Sequence, residues 1–561
     1  MGETAFFDAN ACLGRSACRT PGAPYDVAGL AAELDHCRIS RALVYHAAAR
    51  ELDPAAGNGL LLQETAGQAR LVPAAVISPG PYTKELDPAA EVEKLIESGV
   101  RAFRIFPLYH QLSFSHSGLR RAFELLQQHG RPLFIDYDQP YYNFKQLGQH
   151  EQRAVDLEAV GRLAADFPGL PVVVVGANYN HASALFRLFD QRPELRVETS
   201  LFQGFGMMAY VCRRWGAERL LFGTGLPAVS PGAARAMVMY AEIEEEDRRR
   251  VAAGNLEALL GEPATGTLAE DPGRSPLACD LDLGRPLEKA VVLDVHGHIA
   301  PQGFEGVIGL TLGPQDADSI VRAMDLLGFS SLAVSSWEIC GGDAPGGNRV
   351  AWEAAEQYPG RLLPYAVVNP NYPGEWPAQQ EECFGKRRFF GLKPYPFYQR
   401  RPLSDPAFAE PLALADRLRL PVLCHPGFDP LAGATPEEID ELAQRFPQAF
   451  FIIAHSGGSF RLADSFLEPA RRHGNVLLEI NYTSVPFGMI AYLADKAGPE
   501  KILFGTDMPM RDPAPILGWV VYDHLGDEAL RMILGGNLLR LIEKTGYPYR
   551  PPGPVHGRQG A

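Results

Sequence analysis

The chain has no excess of basic residues: 52 Lys and Arg stand against 67 Asp and Glu, a formal charge of -15. That balance argues against a nucleic-acid or anionic-membrane surface as the main partner and favours a small molecule. It also lacks any run approaching the ~18 apolar residues needed to span a bilayer. The start, MGETAFFDAN, carries neither a basic stretch nor a long apolar core, so a cytoplasmic protein with no membrane partner is expected. Cysteine is scarce and scattered, at positions 12, 18, 37, 212, 279, 340, 383 and 424 with no CxxC pair. Such a pattern reads as reduced thiols, not as a disulfide frame.

What is present is ordinary for a globular protein, 46% apolar and 21% charged, but 561 residues are too many for one core. An internal repeat divides the chain. LLFGTGLP (220–227) returns as ILFGTDMP (502–509), FGMMAY (205–210) as FGMIAY (487–492), AGNLEALLG (253–261) as GGNLLRLIE (535–543), and RLVPAAVISP (70–79) as RLLPYAVVNP (361–370). The order is the same in both halves, so each half is one domain of one fold. The expected domains are 1–262 and 289–561. Between them lies a Gly, Pro and Asp-rich stretch, 263–288, that reads as an extended linker.

In the second half, eight short apolar runs alternate with segments of helical period. They are 290–294, 331–335, 362–368, 389–393, 421–425, 449–455, 476–480 and 501–506. One helix is announced by Thr435 as N-cap before Pro436. Eight strands and their helices over roughly 270 residues predict a (β/α)8 barrel, with the active site at the strand C-terminal ends. The fold class is therefore α/β, two tandem (β/α)8 TIM barrels. A doubly wound sheet is the alternative, but no glycine-rich nucleotide turn follows the first strand.

Ligand-type residues fall at the predicted strand ends. His296 and His298 follow strand 1 in LDVHGH, His425 ends strand 5, His455 ends strand 6, and Asp507 follows strand 8. Alone, each is most simply a hydrogen-bonded structural residue. Five at the ends of four strands of one barrel point to a metal centre, and imidazoles with a carboxylate suit Zn²⁺, with a water completing the shell. Asp507 and His455 are the candidate catalytic residues, for proton transfer and for stabilising charge on a carbonyl oxygen.

Together LDVHGHIAP, GLKPYPFY, LPVLCHPGF, FIIAHSGG and ILFGTDMP span most of the second half. They resemble the metal-dependent TIM-barrel hydrolases of the amidohydrolase superfamily, in the branch that contains aminocarboxymuconate-semialdehyde decarboxylase. The resemblance implies one divalent ion, zinc before manganese or iron, held by His296, His298, His425 and Asp507, with His455 beside it. Lys393 would be either an anchor for a substrate carboxylate or, as in binuclear relatives, a carbamylated bridge to a second metal. The expected activity is hydrolysis of a C–N or C–O bond in a small, carboxylate-bearing substrate. Non-oxidative decarboxylation is the alternative, and a non-catalytic binding or assembly protein the second alternative.

The first half keeps the framework and loses the chemistry: Asn10, Cys12, Asp136, Gly176 and Gly225 stand where the second has His296, His298, His425, His455 and Asp507, and Arg104 faces Lys393. It is expected to be a degenerate scaffold. Family members often work as homodimers in which the partner lends an arginine, so the two halves would form an intramolecular pseudo-dimer, open to further homo-oligomerisation. Two surface features read as ordinary: EIEEEDRRRV (242–251) as a solvated helix face, and the Pro/Gly-rich tail PYRPPGPVHGRQG as mobile or draped over a neighbour.

Overall fold

The computed structural model describes residues 4–78, 87–137, 155–264, 268, 271, 273–305 and 311–551. The chain divides into two compact units, with the main cut between Arg274 and Ser275. In the first, strands β1 (Phe7–Leu13), β2 (Arg41–His46), β3 (Leu71–Val76), β4 (Ala102–Ile105), β5 (Leu133–Asp136), β6 (Val172–Val175), β7 (Leu195–Glu198) and β8 (Leu220–Leu221) pair in sequence order. The second repeats this with β9 (Val292–Ile299), β12 (Phe329–Ser336), β13 (Leu362–Val368), β14 (Gly391–Pro394), β15 (Pro421–Cys424), β16 (Phe450–Ile453), β17 (Val476–Ile480) and β18 (Ile502–Phe504). All of these pairings are parallel, and helices connect the strands, so each unit is a (β/α)8 barrel.

Each strand in the second unit lies close to its predicted position, but two differences matter. Strand β9 runs through His296 and His298 instead of stopping before them. A short hairpin of β10 (Phe304–Glu305) and β11 (Thr311–Leu312) follows it, and no sequence signal announced it. Thr435 caps its helix as expected, in a reciprocal box with Glu438. Within the supposed linker, Ser275 caps a helix at Pro276–Asp282, so this part is not extended: Leu277 and Leu281 are fully buried, and apolar burial wins over the turn-rich composition. The charged segment of the first unit forms the helix Glu245–Arg249, with Glu245 and Glu246 paired to Arg249 and Arg250 on its exposed face. Residues 552–561 of the tail lie outside the described residues; Tyr547 and Tyr549 before them pack on the second core.

The repeated phrases have repeated jobs. In GNLE and GNLL, Asn255 donates to the Ala217 and Leu220 carbonyls, both at 2.8 Å, and Asn537 to those of Pro499 and Ile502, at 2.7 and 2.6 Å. Each asparagine ties its helix to the start of the last strand and satisfies carbonyls that burial would otherwise orphan. Asn58 and Asn348 likewise clasp the backbones of Val76 and Val367 in the third strand of each barrel. All eight cysteines are free thiols. Among the described residues no helix is long and apolar enough to cross a membrane.

Candidate metal centre

The seam that closes the second barrel brings the two distant ends of its sequence together. The Asp507 amide donates to the His296 carbonyl and the His298 amide to the Met508 carbonyl, both at 2.7 Å. Strand β9 carries a bulge here: Asp294 pairs with Leu332 but Gly297 with Val334, so one extra residue is inserted before the second histidine. The buried Asp294 carboxyl takes up the freed groups, accepting from the His296 amide (2.9 Å), the Thr506 amide (3.1 Å) and the Thr506 hydroxyl (2.5 Å). Burial pushes that carboxyl up to about 8 despite the Thr506 hydrogen bond. Asp294 is therefore a structural peg that ties the start of HxH to the strand bearing Asp507.

The predicted residues lie around this mouth, but the tightest ligand group differs from the predicted set: it has His455 and lacks His298 and His425. Among the described residues, His296, His455 and Asp507 form a group whose ligand atoms lie within 4.8 Å of one another. His298 Nε2 is 2.8 Å and His296 Nε2 3.3 Å from Asp507 Oδ1. The His425 ring centroid is 4.9 Å from that of His455. Lys393, 1% exposed, places Nζ 2.8 Å from His296 Nε2. Cys424 is in the core, as strand alternation predicts, with its thiol directed at the Val422 carbonyl.

Neighbours that can only donate or only accept set the imidazole tautomers. The Lys393 ammonium donates to His296 Nε2, which places the His296 proton on Nδ1, directed at Glu479 Oε2 at 3.1 Å with the Asn481 amide nitrogen alongside at 3.2 Å. The Pro426 carbonyl, 3.1 Å from His425 Nδ1, fixes that proton too and leaves the His425 Nε2 lone pair free. For His298, Nε2–H donates to the Asp507 carboxylate at 2.8 Å, while Nδ1 accepts from the Ser335 hydroxyl at 3.1 Å, itself 2.8 Å from the Tyr395 hydroxyl.

The electrostatics match that arrangement. Burial, reinforced by Lys393, holds His296 well below the ordinary imidazole range and lowers His425 to about 4. Burial also lowers His298 against the pull of Asp507, and holds His455 well below its ordinary range. Burial alone would raise the Asp507 carboxyl, but Arg511, 3.2 Å away, leads His296 and His298 in holding it well below the usual carboxylate range. Lys393 is lowered by burial to about 8. At neutral pH the mouth is thus a set of uncharged imidazoles around one ionised carboxylate.

That donor set fits a divalent cation. The Lys393 ammonium donates to the His296 Nε2 lone pair, the atom that would meet the cation. His296, His425, His455 and Asp507 offer inward lone pairs, whereas His298 spends its Nε2 proton on Asp507 and would have to release it to become a ligand. Arg511, Asn481 and Ser335 are not among the expected residues, and Tyr395 opens the aromatic run 395–398, which reads equally as packing or pocket wall. Two of them left a trace: Asn481 is two residues beyond Glu479, and Arg511 is a charge four residues after Asp507.

In the first barrel the same framework encloses a different centre. Asp8 accepts from the Asn10 and Thr224 amides and the Thr224 hydroxyl, as Asp294 does in the second, and the Gly225 amide donates to the Asn10 carbonyl at 2.8 Å. Arg104, 5% exposed, occupies the mouth, with Nε 2.9 Å from Asp136 Oδ2, Nη1 2.9 Å from Asn10 Oδ1, and the Tyr45 ring 4.3 Å from its guanidinium carbon. Asn10 in turn donates to Glu198 at 3.2 Å. A side-chain cation with its own carboxylate stands where the second barrel offers ligands.

The exchange of His455 and Asp507 for glycines has a backbone cause. His455 and Asp507 have φ of +57° and +61°, and Gly176 and Gly225 have φ of +76° and +73°. The fold demands left-handed backbone at both places, which strains any residue with a Cβ. The second barrel carries that strain at two side chains of its mouth; the first is relieved of it.

Two outcomes follow for stability. His455→Gly should be more stable than His455→Ala by about 1 kcal/mol, the reverse of the usual order within regular structure; urea denaturation of both variants measures the sign. Arg104→Ala strands the buried Asp136 carboxylate and should destabilise the first barrel by about 3–5 kcal/mol. The metal content of that variant, read by elemental analysis, should be unchanged.

Comparison with known proteins finds similar solved structures and one family. Among solved structures, an uncharacterised TIM-barrel protein from Bordetella bronchiseptica is 18% identical, covering 46% of this chain and 99% of its own at a TM-score of 0.37. A manganese-bound 5-carboxyvanillate decarboxylase from Novosphingobium aromaticivorans is 16% identical over 46% of this chain and 97% of its own, TM-score 0.35. A 2,6-dihydroxybenzoate decarboxylase from Rhizobium is 16% identical over 45% and 98%, TM-score 0.35. No curated protein sequence matches. The amidohydrolase family model matches twice, at residues 21–261 and 294–543, once for each barrel, and the chain belongs to the amidohydrolase family.

Proposed function

We propose that the second barrel is a metal-dependent hydrolase that cleaves a C–N or C–O bond of a small carboxylate-bearing substrate. The observation that carries this reading is the convergence of His296, His298, His425, His455 and Asp507 on one mouth that also buries two cations, Lys393 and Arg511. A divalent ion held by His296, His425 and Asp507, with His298 or His455 completing the set, supplies Lewis acidity toward a water or a substrate oxygen.

The other roles belong to the chain. Asp507, held ionised by Arg511, orients His298, takes the proton of the attacking water and returns it to the leaving group. His455, with its Nε2 lone pair turned to the ion, would serve as a ligand. Lys393, buried and directed into the mouth, meets the substrate carboxylate. Tyr395 and Ser335 hold the His298 ring, and Phe397, with its ring 6.2 Å from that of His425 and nearly parallel to it, forms wall.

Non-oxidative decarboxylation is the second reading, and one observation favours it. A buried ammonium brought to about 8 is a proton source for the carbon that loses carbon dioxide. Incubating the zinc-loaded protein with carboxylated amides and lactones, and with aromatic and muconate-type acids, separates the two. New amine or alcohol without carbon dioxide supports hydrolysis, and carbon dioxide with the shortened acid supports the lyase. On either substrate class Lys393→Met should weaken binding about 10–100-fold, the worth of a charge-assisted hydrogen bond. An unchanged KM would remove the anchor from the account.

A further inference from the structure

Resting on the metal-centre reading, we propose that Asn481 and Arg511 are a positioning pair that fixes His455 in its Nδ1-protonated tautomer, so that Nε2 faces the cation. Asn481 is fully buried and Arg511 is 3% exposed. Asn481 Oδ1 lies 2.5 Å from His455 Nδ1 and 2.8 Å from Arg511 Nη1. A guanidinium has no acceptor, so the amide atom facing it is the oxygen, and the amide nitrogen then lies 3.2 Å from His296 Nδ1, whose proton is taken up by Glu479 Oε2 at 3.1 Å. That oxygen also faces His455, whose Nδ1 must then donate, leaving the lone pair on Nε2. If the amide were reversed, its NH2 would oppose the guanidinium and would force the His455 proton onto Nε2, where no cation could be bound. Arg511 is held in turn by Asp507 Oδ2 at 3.2 Å and by the Tyr482 ring, 5.2 Å away.

The device separates two tasks. Glu479 Oε2 accepts from the His455 amide at 2.9 Å and helps fix the left-handed backbone, while Asn481 fixes the ring. The first barrel keeps one task and drops the other. Glu198 still accepts from the Gly176 amide, at 3.4 Å. His455, Asn481 and Arg511 are replaced together, by Gly176, Ser200 and Val229, and Ser200 turns its hydroxyl to Glu198 at 2.9 Å. With no imidazole to orient, neither the amide nor the guanidinium is retained.

The test uses the full chain labelled with ¹⁵N-histidine, first free of zinc, with His455→Gln identifying the His455 resonances. The wild type should show Nδ1 protonated and Nε2 bare. Asn481→Leu, which cannot accept, should shift His455 toward a tautomer mixture and weaken zinc binding, read by competition with a chromophoric chelator, about 10–100-fold. Asn481→Asp keeps an acceptor for both neighbours and should hold the tautomer with zinc affinity within a few-fold of wild type. Arg511→Met frees the amide to turn and gives a mixture if the pair acts as described, even if the leucine variant fails to fold. Should the Asn481→Leu or Arg511→Met protein keep the wild-type tautomer, the positioning pair is refuted, whatever the metal does. A wild-type protein that binds no zinc would overturn the metal-centre reading instead, because the tautomer is measured without metal.

Discussion

The closing seam of the second barrel is the constraint on which its chemistry depends. Residues more than two hundred positions apart are pinned by two short backbone bonds, Asp507 to His296 and His298 to Met508, and by the Asp294 carboxyl that takes hydrogen bonds from both sides. A side chain can hold a reacting geometry only as well as the backbone under it is held. The bulge in β9 puts the second histidine on the seam itself, within reach of the Asp507 carboxylate. The left-handed backbone of Asp507 and His455 turns both side chains into the mouth at a cost that the surrounding barrel over-determines.

Placed beside its twin, the site shows which parts are scaffold and which are chemistry. The carboxylate peg, the strand-seven glutamate, the seam bonds and the two left-handed turns occur in both barrels. The imidazoles, the carboxylate at the eighth strand, and the amide and guanidinium behind His455 occur in the second alone. In the first barrel Arg104 brings positive charge to the centre together with the Asp136 partner that neutralises it. That arrangement pairs its own charges, and none of the imidazoles of the second mouth has a counterpart among the corresponding residues of the first.

Much of this was legible in the sequence, because a (β/α)8 barrel displays its strands as short apolar runs and its active site as the residues that end them. The five ligand-type residues, Lys393, and the losses in the first half could all be read from the strand ends and the repeat. The bulge could not, since an extra residue leaves no mark in period or propensity. Neither could the supporting polar groups. Asn481, Ser335 and Tyr395 act through contacts between strands that are distant in sequence, and no spacing rule relates them to the histidines they hold. Arg511 stood in plain view, but whether a charge near a strand end meets water or a buried carboxylate is decided by the packing of neighbouring elements. The helix at Pro276–Asp282 escaped for a similar reason: its capping signal was outweighed by composition until burial of Leu277 and Leu281 settled it.

X-ray absorption at the zinc edge of the loaded protein tests the centre most directly. The account predicts a low-coordinate shell of nitrogen and oxygen near 2.0–2.2 Å, with the outer-shell scattering of at least two imidazoles. That scattering should fall when His296 or His425 is replaced and stay when a residue of the first barrel is. A shell of water oxygens alone, or a spectrum unchanged by loss of these histidines, would contradict it.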